Sequence, residues 1–163
     1  MQDARTAAIL KLAQIINPQI QPQREFHIDL EQLRQLPNGT LGREVAYFLD
    51  EHGFEPLNSG DWIQRTHDVW HVLTGLSSCE RDELTLQAFV RAQVFRPSAA
   101  ILVLLGLLAR KCSPKNIIAA LKRGKRAQNS IGWDIESDWA TPLSEVRRKL
   151  GVVPFRRTTE VSS

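Results

Sequence analysis

Apolar positions along the chain recur at helical spacing, and no run alternates every second residue as a half-buried strand would. Ile9, Leu12, Ala13 and Ile16 form the first helical run and stop at Asn17-Pro18; the stretch to Gln23, with a further proline at Pro22, is a polar connector. Asp29 with Gln32 resembles a capping box ahead of Leu30, Leu33 and Leu36, and Pro37-Asn38-Gly39 turns the chain. Thr40 can cap the next helix, whose stripe is Leu41, Val45, Phe48 and Leu49 and whose end is His52-Gly53. Glu55 to Gly60 reads as a loop, and Trp62 to Leu76 as one helix. A short turn through Ser77-Ser78-Cys79 then folds a second run, with Leu84, Leu86, Ala88 and Phe89, back antiparallel to it.

Pro97 opens a run that is apolar nearly all round, from Ala99 to Ala109. Such a run is buried on most sides or faces lipid. It is well short of the roughly 20 residues that a helix needs to cross a bilayer. Gly106 in its interior points to close approach by a neighbouring helix or a ligand, and the run is expected to line a cavity for a lipid tail that ends at the site described below. Ser113-Pro114 starts a helix with Ile117, Ile118 and Leu121 on one side, ending in Lys122-Arg123-Gly124-Lys125-Arg126. Thr141-Pro142 starts a last one through Leu143, Val146 and Leu150 before Gly151. The expectation is an all-α single domain of about six or seven helices with the pair around residues 62–93 central. It divides into an N-terminal helix and connector over 1–29, a helical core over 30–151 and a frayed tail over 152–163.

Composition changes this picture little. A chain of 163 residues with 42% hydrophobic residues is one domain's worth of core. Cys79 and Cys112 make neither a disulfide framework nor a Cys-rich zinc module, and Met1-Gln2-Asp3 lacks the basic leader of a signal peptide, so the expected place is the cytoplasmic side. Charge adds more. From Leu84 to Trp133 there is no Asp or Glu, while Arg91, Arg96, Arg110, Lys111, Lys115, Lys122, Arg123, Lys125 and Arg126 fall in the same span. No aromatic interleaving or recognition module accompanies them, so nucleic acid is not expected, and an anionic membrane surface fits better. Lys122, Arg123, Lys125, Arg126 and Gly106 are the candidate lipid and membrane residues.

The chemistry concentrates between His67 and Glu83. On a helix His67 and His71 lie one turn apart with Asp68 beside them, and the return helix can bring Glu83 to face all three. Neutral imidazole nitrogen suits zinc, iron and manganese, and the carboxylates complete a shell with an open position for water or substrate. The competing plain reading is a pair of half-buried core histidines, and Cys79 in the turn is an ordinary thiol rather than a soft ligand. Adjacent His-Asp also marks helical phosphohydrolases, which need a further histidine and aspartate. His27 or His52 and Asp134 or Asp138 are the nominees.

The pattern His67-Asp68-x-x-His71, eleven residues, then Glu83 sits within Arg65 to Gly75 and is followed by Leu86-Gln87-Ala88-Phe89 and Ala92-Gln93. With Leu36 to Gly42 upstream, and Trp133-Asp134, Trp139, Pro142-Leu143 and Arg147 downstream, it resembles the coenzyme Q biosynthesis protein four family over roughly residues 33 to 151. The chain differs in a short segment before residue 30, a compressed stretch from Phe54 to Trp62, and Asp82 where that family often has glycine. The resemblance implies a membrane-associated, all-helical protein of ubiquinone synthesis with a divalent metal, usually zinc, on His67, Asp68, His71 and Glu83. It implies either metal-dependent oxidative decarboxylation of a polyprenylated hydroxybenzoate-type precursor, or a lipid-binding scaffold for the other ubiquinone biosynthesis proteins with a structural metal. A homodimer is compatible with either.

Overall fold

The computed structural model describes residues 15–17, 26–58, 60–94 and 96–155. Among them are eight α-helices: α1 (Leu30–Arg34), α2 (Leu41–His52), α3 (Trp62–Arg65), α4 (His67–Thr74), α5 (Glu80–Gln93), α6 (Pro97–Leu108), α7 (Pro114–Arg126) and α8 (Leu143–Leu150). Apart from one antiparallel bridge between Thr40 and Pro142, the described residues contain no β-structure, as expected of an all-α domain. The first expected helix lies outside the described residues except for its end at Ile15 and Ile16.

The helix count exceeds the expected six or seven partly because Trp62 to Leu76 is two helices. The break is at Thr66, whose hydroxyl donates to the carbonyl of Trp62 (2.8 Å) and accepts from the indole of Trp70 (3.3 Å). His67 therefore begins α4. Gly75, left-handed at φ 69°, ends it one residue before the expected Leu76. Other boundaries follow the sequence signals. Asp29 accepts from Gln32 N, Thr40 from Arg43 N, and Asp61 and Gln64 form a reciprocal capping box at α3.

The core gathers around Trp70, Phe89, Leu41, Leu49 and Leu73, all fully buried, with Trp70 against both Phe89 and Trp133. On one side α2 packs against α1, α4 and α8; on the other α5 packs against α6 and α7. Gly124 makes the second contact close. A Cβ there would sit 2.3 Å from the carbonyl oxygen of Phe89, so the helices approach backbone to backbone. The C-terminal segment ties both sides together. Leu41 N and Gly42 N donate to the carbonyls of Thr141 and Trp139, and Gln128 N donates to Leu150 O. The expectation of a frayed tail is not met at 152–155. Val152 is buried, Phe155 N donates to Thr74 O at 2.7 Å, and Arg123 lies over the Phe155 ring.

Two expectations for α6 need correction. Its run is not buried on most sides, nor the wall of a cavity reaching the His-Glu cluster: Ala99, Val103 and Gly106 are buried, but Ile101, Leu104, Leu105 and Leu108 are exposed, at 47, 57, 56 and 72%. A pocket of about 500 Å³ does lie among α5, α6 and α7, but it shares no lining residue with the pocket at the cluster. Periodicity cannot orient a helix that is apolar all round. Gly106 is a point of helix approach, since a Cβ there would meet the Leu84 side chain at 2.5 Å.

Asp138 supplies a stability test. Its buried carboxylate accepts from Trp133 Nε1 (2.6 Å) and Lys149 Nζ (2.7 Å). Burial pushes its pKa up, but these hydrogen bonds and the lysine charge outweigh that and lower it below the ordinary value. The group therefore stabilises the fold at neutral pH, and that contribution fades as pH falls below about 4 and through the lowered folded value. Asp138→Asn is expected to cost about 1–3 kcal/mol at pH 7. In urea denaturation at several pH values, the gap from the parent should narrow on acidification; a gap that stays constant to pH 2 would refute this linkage.

Candidate metal centre

The turn between α4 and α5 aims the site. Gly75 stops α4, and Asp82 then accepts from both Ser77 N (2.8 Å) and Ser77 Oγ (2.6 Å), which pins the chain as it enters α5. Glu83, one residue on, is thereby carried over the face of α4 that bears the histidines. Its Oε1 lies 2.9 Å from His67 Nε2 and its Oε2 3.0 Å from His71 Nε2. These three residues are a group that could hold a metal ion, with one ligand atom from each lying within 4.8 Å of the others.

Each side chain is held from behind. His71, only 2% exposed, presents Nδ1 to the carbonyl oxygen of Leu76 at 3.2 Å and stacks on Phe48 with centroids 5.2 Å apart. Because a carbonyl only accepts, that nitrogen carries a hydrogen, and Nε2 is the nitrogen left to face Glu83. Asp68 does not converge with the three. Its carboxylate lies 3.7 Å from His67 Nδ1, on the far edge of that ring, where it orients the imidazole and favours a hydrogen at Nδ1. Gln87 donates to Glu83 Oε1 at 2.9 Å.

Electrostatics bears on what fills the centre. Burial pulls the His67 imidazolium down, but Asp68 and Glu83 outweigh it and raise its pKa to about 10. Burial likewise pushes the Glu83 carboxyl up, yet the hydrogen bonds from His67 and His71 hold it far below the usual carboxylate range. A neutral Nε2 lone pair facing a carboxylate oxygen at 3.0 Å is repulsive unless a proton or a cation stands between them. Two imidazole nitrogens and one carboxylate, each with an orienting partner, are a donor set that fits a divalent cation with positions left open.

The cluster lines a pocket of about 690 Å³ whose other wall is His52, Gly53, Phe54, Glu55, Pro56 and Leu57, with Asp68 and Ser78 also on it. Cys79 stays outside, at the start of α5. A phosphohydrolase set does not assemble. His27 and Asp134 are exposed, Asp138 is bound to Trp133 and Lys149, and neither aspartate lines the pocket.

The candidate membrane residues divide. Lys122 and Arg126 are exposed and Lys125 borders the pocket among α5, α6 and α7. Arg123 turns inward instead, donating to Pro154 O at 3.0 Å. Residues of the site that sequence reasoning missed are Phe48, Asp82, Gln87 and Arg147, whose guanidinium donates to the carbonyls of Leu73 and Val72 (both 2.9 Å) at the end of α4. Only Gln87, one helical turn after Glu83, had a signal in its spacing.

The family model described as coenzyme Q (ubiquinone) biosynthesis protein Coq4 matches residues 1–156. Among curated relatives, the ubiquinone biosynthesis protein COQ4 homolog of Nematostella vectensis, described as mitochondrial, is 28% identical over 85% of this chain and 78% of its own length. The mitochondrial COQ4 homolog of Mus musculus is 27% identical over 78% of this chain, and the match covers 55% of the mouse protein. For the Pyricularia oryzae COQ4 protein the figures are 27%, 78% and 48%, so the chain spans about half the length of these last two. A crystallised Nostoc punctiforme protein, provisionally assigned to ubiquinone biosynthesis, superposes with a TM-score of 0.63 over 92% of this chain and 82% of that one. At 24% identity this shows a shared fold.

Proposed function

The chain belongs to the coenzyme Q (ubiquinone) biosynthesis protein Coq4 family, and from that premise we propose that it removes the ring carboxylate of a polyprenylated hydroxybenzoate-type precursor. The reading rests on one observation, the convergence of His67, His71 and Glu83 within 4.8 Å on the wall of a pocket of about 690 Å³. Zinc suits the nitrogen and carboxylate donors, and iron or manganese would accept the same set. His67, His71 and Glu83 would hold such an ion, and it would supply Lewis acidity toward a substrate carboxylate. His71 is locked by Leu76 and Phe48, and Glu83 by Gln87, so the donors need little rearrangement. Asp68 keeps Nε2 of His67 turned to the pocket from the opposite edge of the ring. Where hydroxyl replaces the carboxylate, water supplies the oxygen atom and a two-electron oxidant from outside the protein, such as dioxygen, takes up the two electrons and two protons released with carbon dioxide.

Cells lacking the protein are expected to accumulate the carboxylated precursor, read by mass spectrometry of quinone intermediates. A second reading is a scaffold that presents the precursor to other ubiquinone biosynthesis proteins. The span of the ligand set favours it, because the three residues clasp α4 to α5 and a metal there can be structural. Chelation separates the two. Loss of decarboxylation with the helical circular dichroism intact supports catalysis, whereas unfolding supports the scaffold.

The precursor's prenyl tail places its supply at a lipid surface, and we assign that contact to α6 and α7. No described helix is long and apolar enough to cross a membrane. The exposed Leu104, Leu105 and Leu108 offer apolar area in a region without acids, and Lys122, Lys125 and Arg126 lie exposed on the next helix. Each such cation adds on the order of 1 kcal/mol near an anionic surface. Sedimentation with anionic vesicles is expected to weaken as salt rises, since exposed charges are screened over about 8 Å at physiological ionic strength. Equal binding to neutral and anionic vesicles would count against the basic half.

A further inference from the structure

His52 closes α2, and Gly53 behind it is left-handed at φ 63°, which turns the chain into the loop forming one wall of the pocket. Its Nδ1 lies 2.8 Å from the carbonyl oxygen of Phe48. The hydrogen is therefore on Nδ1, and Nε2 carries a lone pair. Two aromatic rings lie against the imidazole, Phe48 with centroids 4.6 Å apart and Phe54 at 5.2 Å, and these two rings are themselves 6.4 Å apart, so His52 sits in an aromatic corner. Phe48 also stacks on His71, which sets His52 at a constant offset from the cluster. Among the described residues no hydrogen bond engages Nε2, although His52 lines the same pocket as His67, His71 and Glu83.

We infer that His52 is the second anchor for the substrate: its Nε2 accepts the hydrogen of a phenolic hydroxyl on an aromatic acid whose carboxylate lies toward His67, His71 and Glu83. This rests on the reading of the pocket given above. The geometry makes His52 a specificity-determining residue. A fixed imidazole lone pair rewards an O–H donor and gains nothing from C–H or C–F, and a site built to hydrogen-bond a hydroxyl rejects analogues that lack it. His52 asks for a neutral donor, and Glu55 on the same wall disfavours a second carboxylate at that end of the pocket.

The test is calorimetric titration of the zinc-loaded protein with 4-hydroxybenzoate and with 4-fluorobenzoate, acids of nearly equal size that differ in the donor. The parent is expected to bind the hydroxy acid about tenfold more tightly. His52→Phe keeps an aromatic ring against Phe48 and Phe54 and is expected to bind both acids equally, at the parent's affinity for the fluoro acid. His52→Gln, which can present an amide oxygen, should recover part of the preference. An undiminished preference in His52→Phe overturns the inference and leaves the pocket reading standing. Binding of neither acid by the parent overturns both. If His52→Phe fails to fold, the parent alone decides, because equal affinities for the two acids overturn the role of His52.

Discussion

Replacing His71 with alanine is expected to remove most of the bound metal, and decarboxylation with it. His71 is the most buried of the three converging residues, its ring is fixed by Leu76 and Phe48, and Nε2 has no other role. Loss of one of three protein donors from a site of this kind leaves two, too few for tight retention at neutral pH. His67→Ala and Glu83→Ala should behave alike. Asp68→Ala should not. It touches only the far edge of His67, and removing such an orienting group typically weakens affinity by about 10–100-fold, so Asp68→Ala keeps its metal when the ion is in excess. Elemental analysis after gel filtration reads all four variants. A full equivalent of metal on His71→Ala would refute the shared site, and an Asp68→Ala protein as empty as His71→Ala would return Asp68 to the ligand set.

Arg96→Met is expected to cost about 3–5 kcal/mol of folding stability. Arg96 and Asp61 are both buried and pair directly, joining the start of α6 to the start of α3. Asp61 is committed twice, since its other oxygen accepts from Gln64 N at 3.0 Å in the capping box. Removing the guanidinium leaves a carboxylate in the core with a helix cap but no counter-charge. For a chain of this size each kcal/mol moves the melting temperature by about 2–4 °C, so the expected drop is roughly 10 °C. Urea denaturation with the midpoint and slope fitted separately would measure it. A loss below about 1 kcal/mol would mean that water screens the pair as it does a surface ion pair.

Local chemistry made much of this legible. The caps at Asp29 and Thr40, the proline starts of α6 and α7, and the glycine ends of α2 and α8 are written within a few residues of where they act. So is the cluster, because i and i+4 on one helix and a short antiparallel return leave few other places for Glu83. What escaped depends on distant partners or on sidedness. The break at Thr66 needs the Trp70 indole to turn back onto its hydroxyl. The Asp61–Arg96 pair joins residues 35 apart, with nothing in either neighbourhood to announce it. The exposure of α6 is invisible to periodicity, since a helix apolar on every side gives no phase from which to read its buried face. Asp68 stands apart from the converging three for a geometric reason, since adjacent residues on a helix point about 100° apart and His67 and His71 share the face toward Glu83.

Arg147 has a consequence for the order in which the protein becomes competent. The His-Asp-x-x-His and Glu pattern is complete once residue 83 has been synthesised, yet the carbonyls of Val72 and Leu73 at the end of α4 are met by a guanidinium 75 and 74 residues further on. Phe155 adds a backbone hydrogen bond to Thr74 still later. Until α8 has left the ribosome, the helix bearing both histidines lacks its C-terminal clamp and its neighbour α2 lacks the acceptors at Thr141 and Trp139. A fragment ending near residue 140 would carry every ligand-type residue of the motif and still present them on an unanchored helix. The His67, His71 and Glu83 cluster is thereby finished only in the last part of translation, and a nascent chain truncated short of α8 lacks the contacts that anchor it.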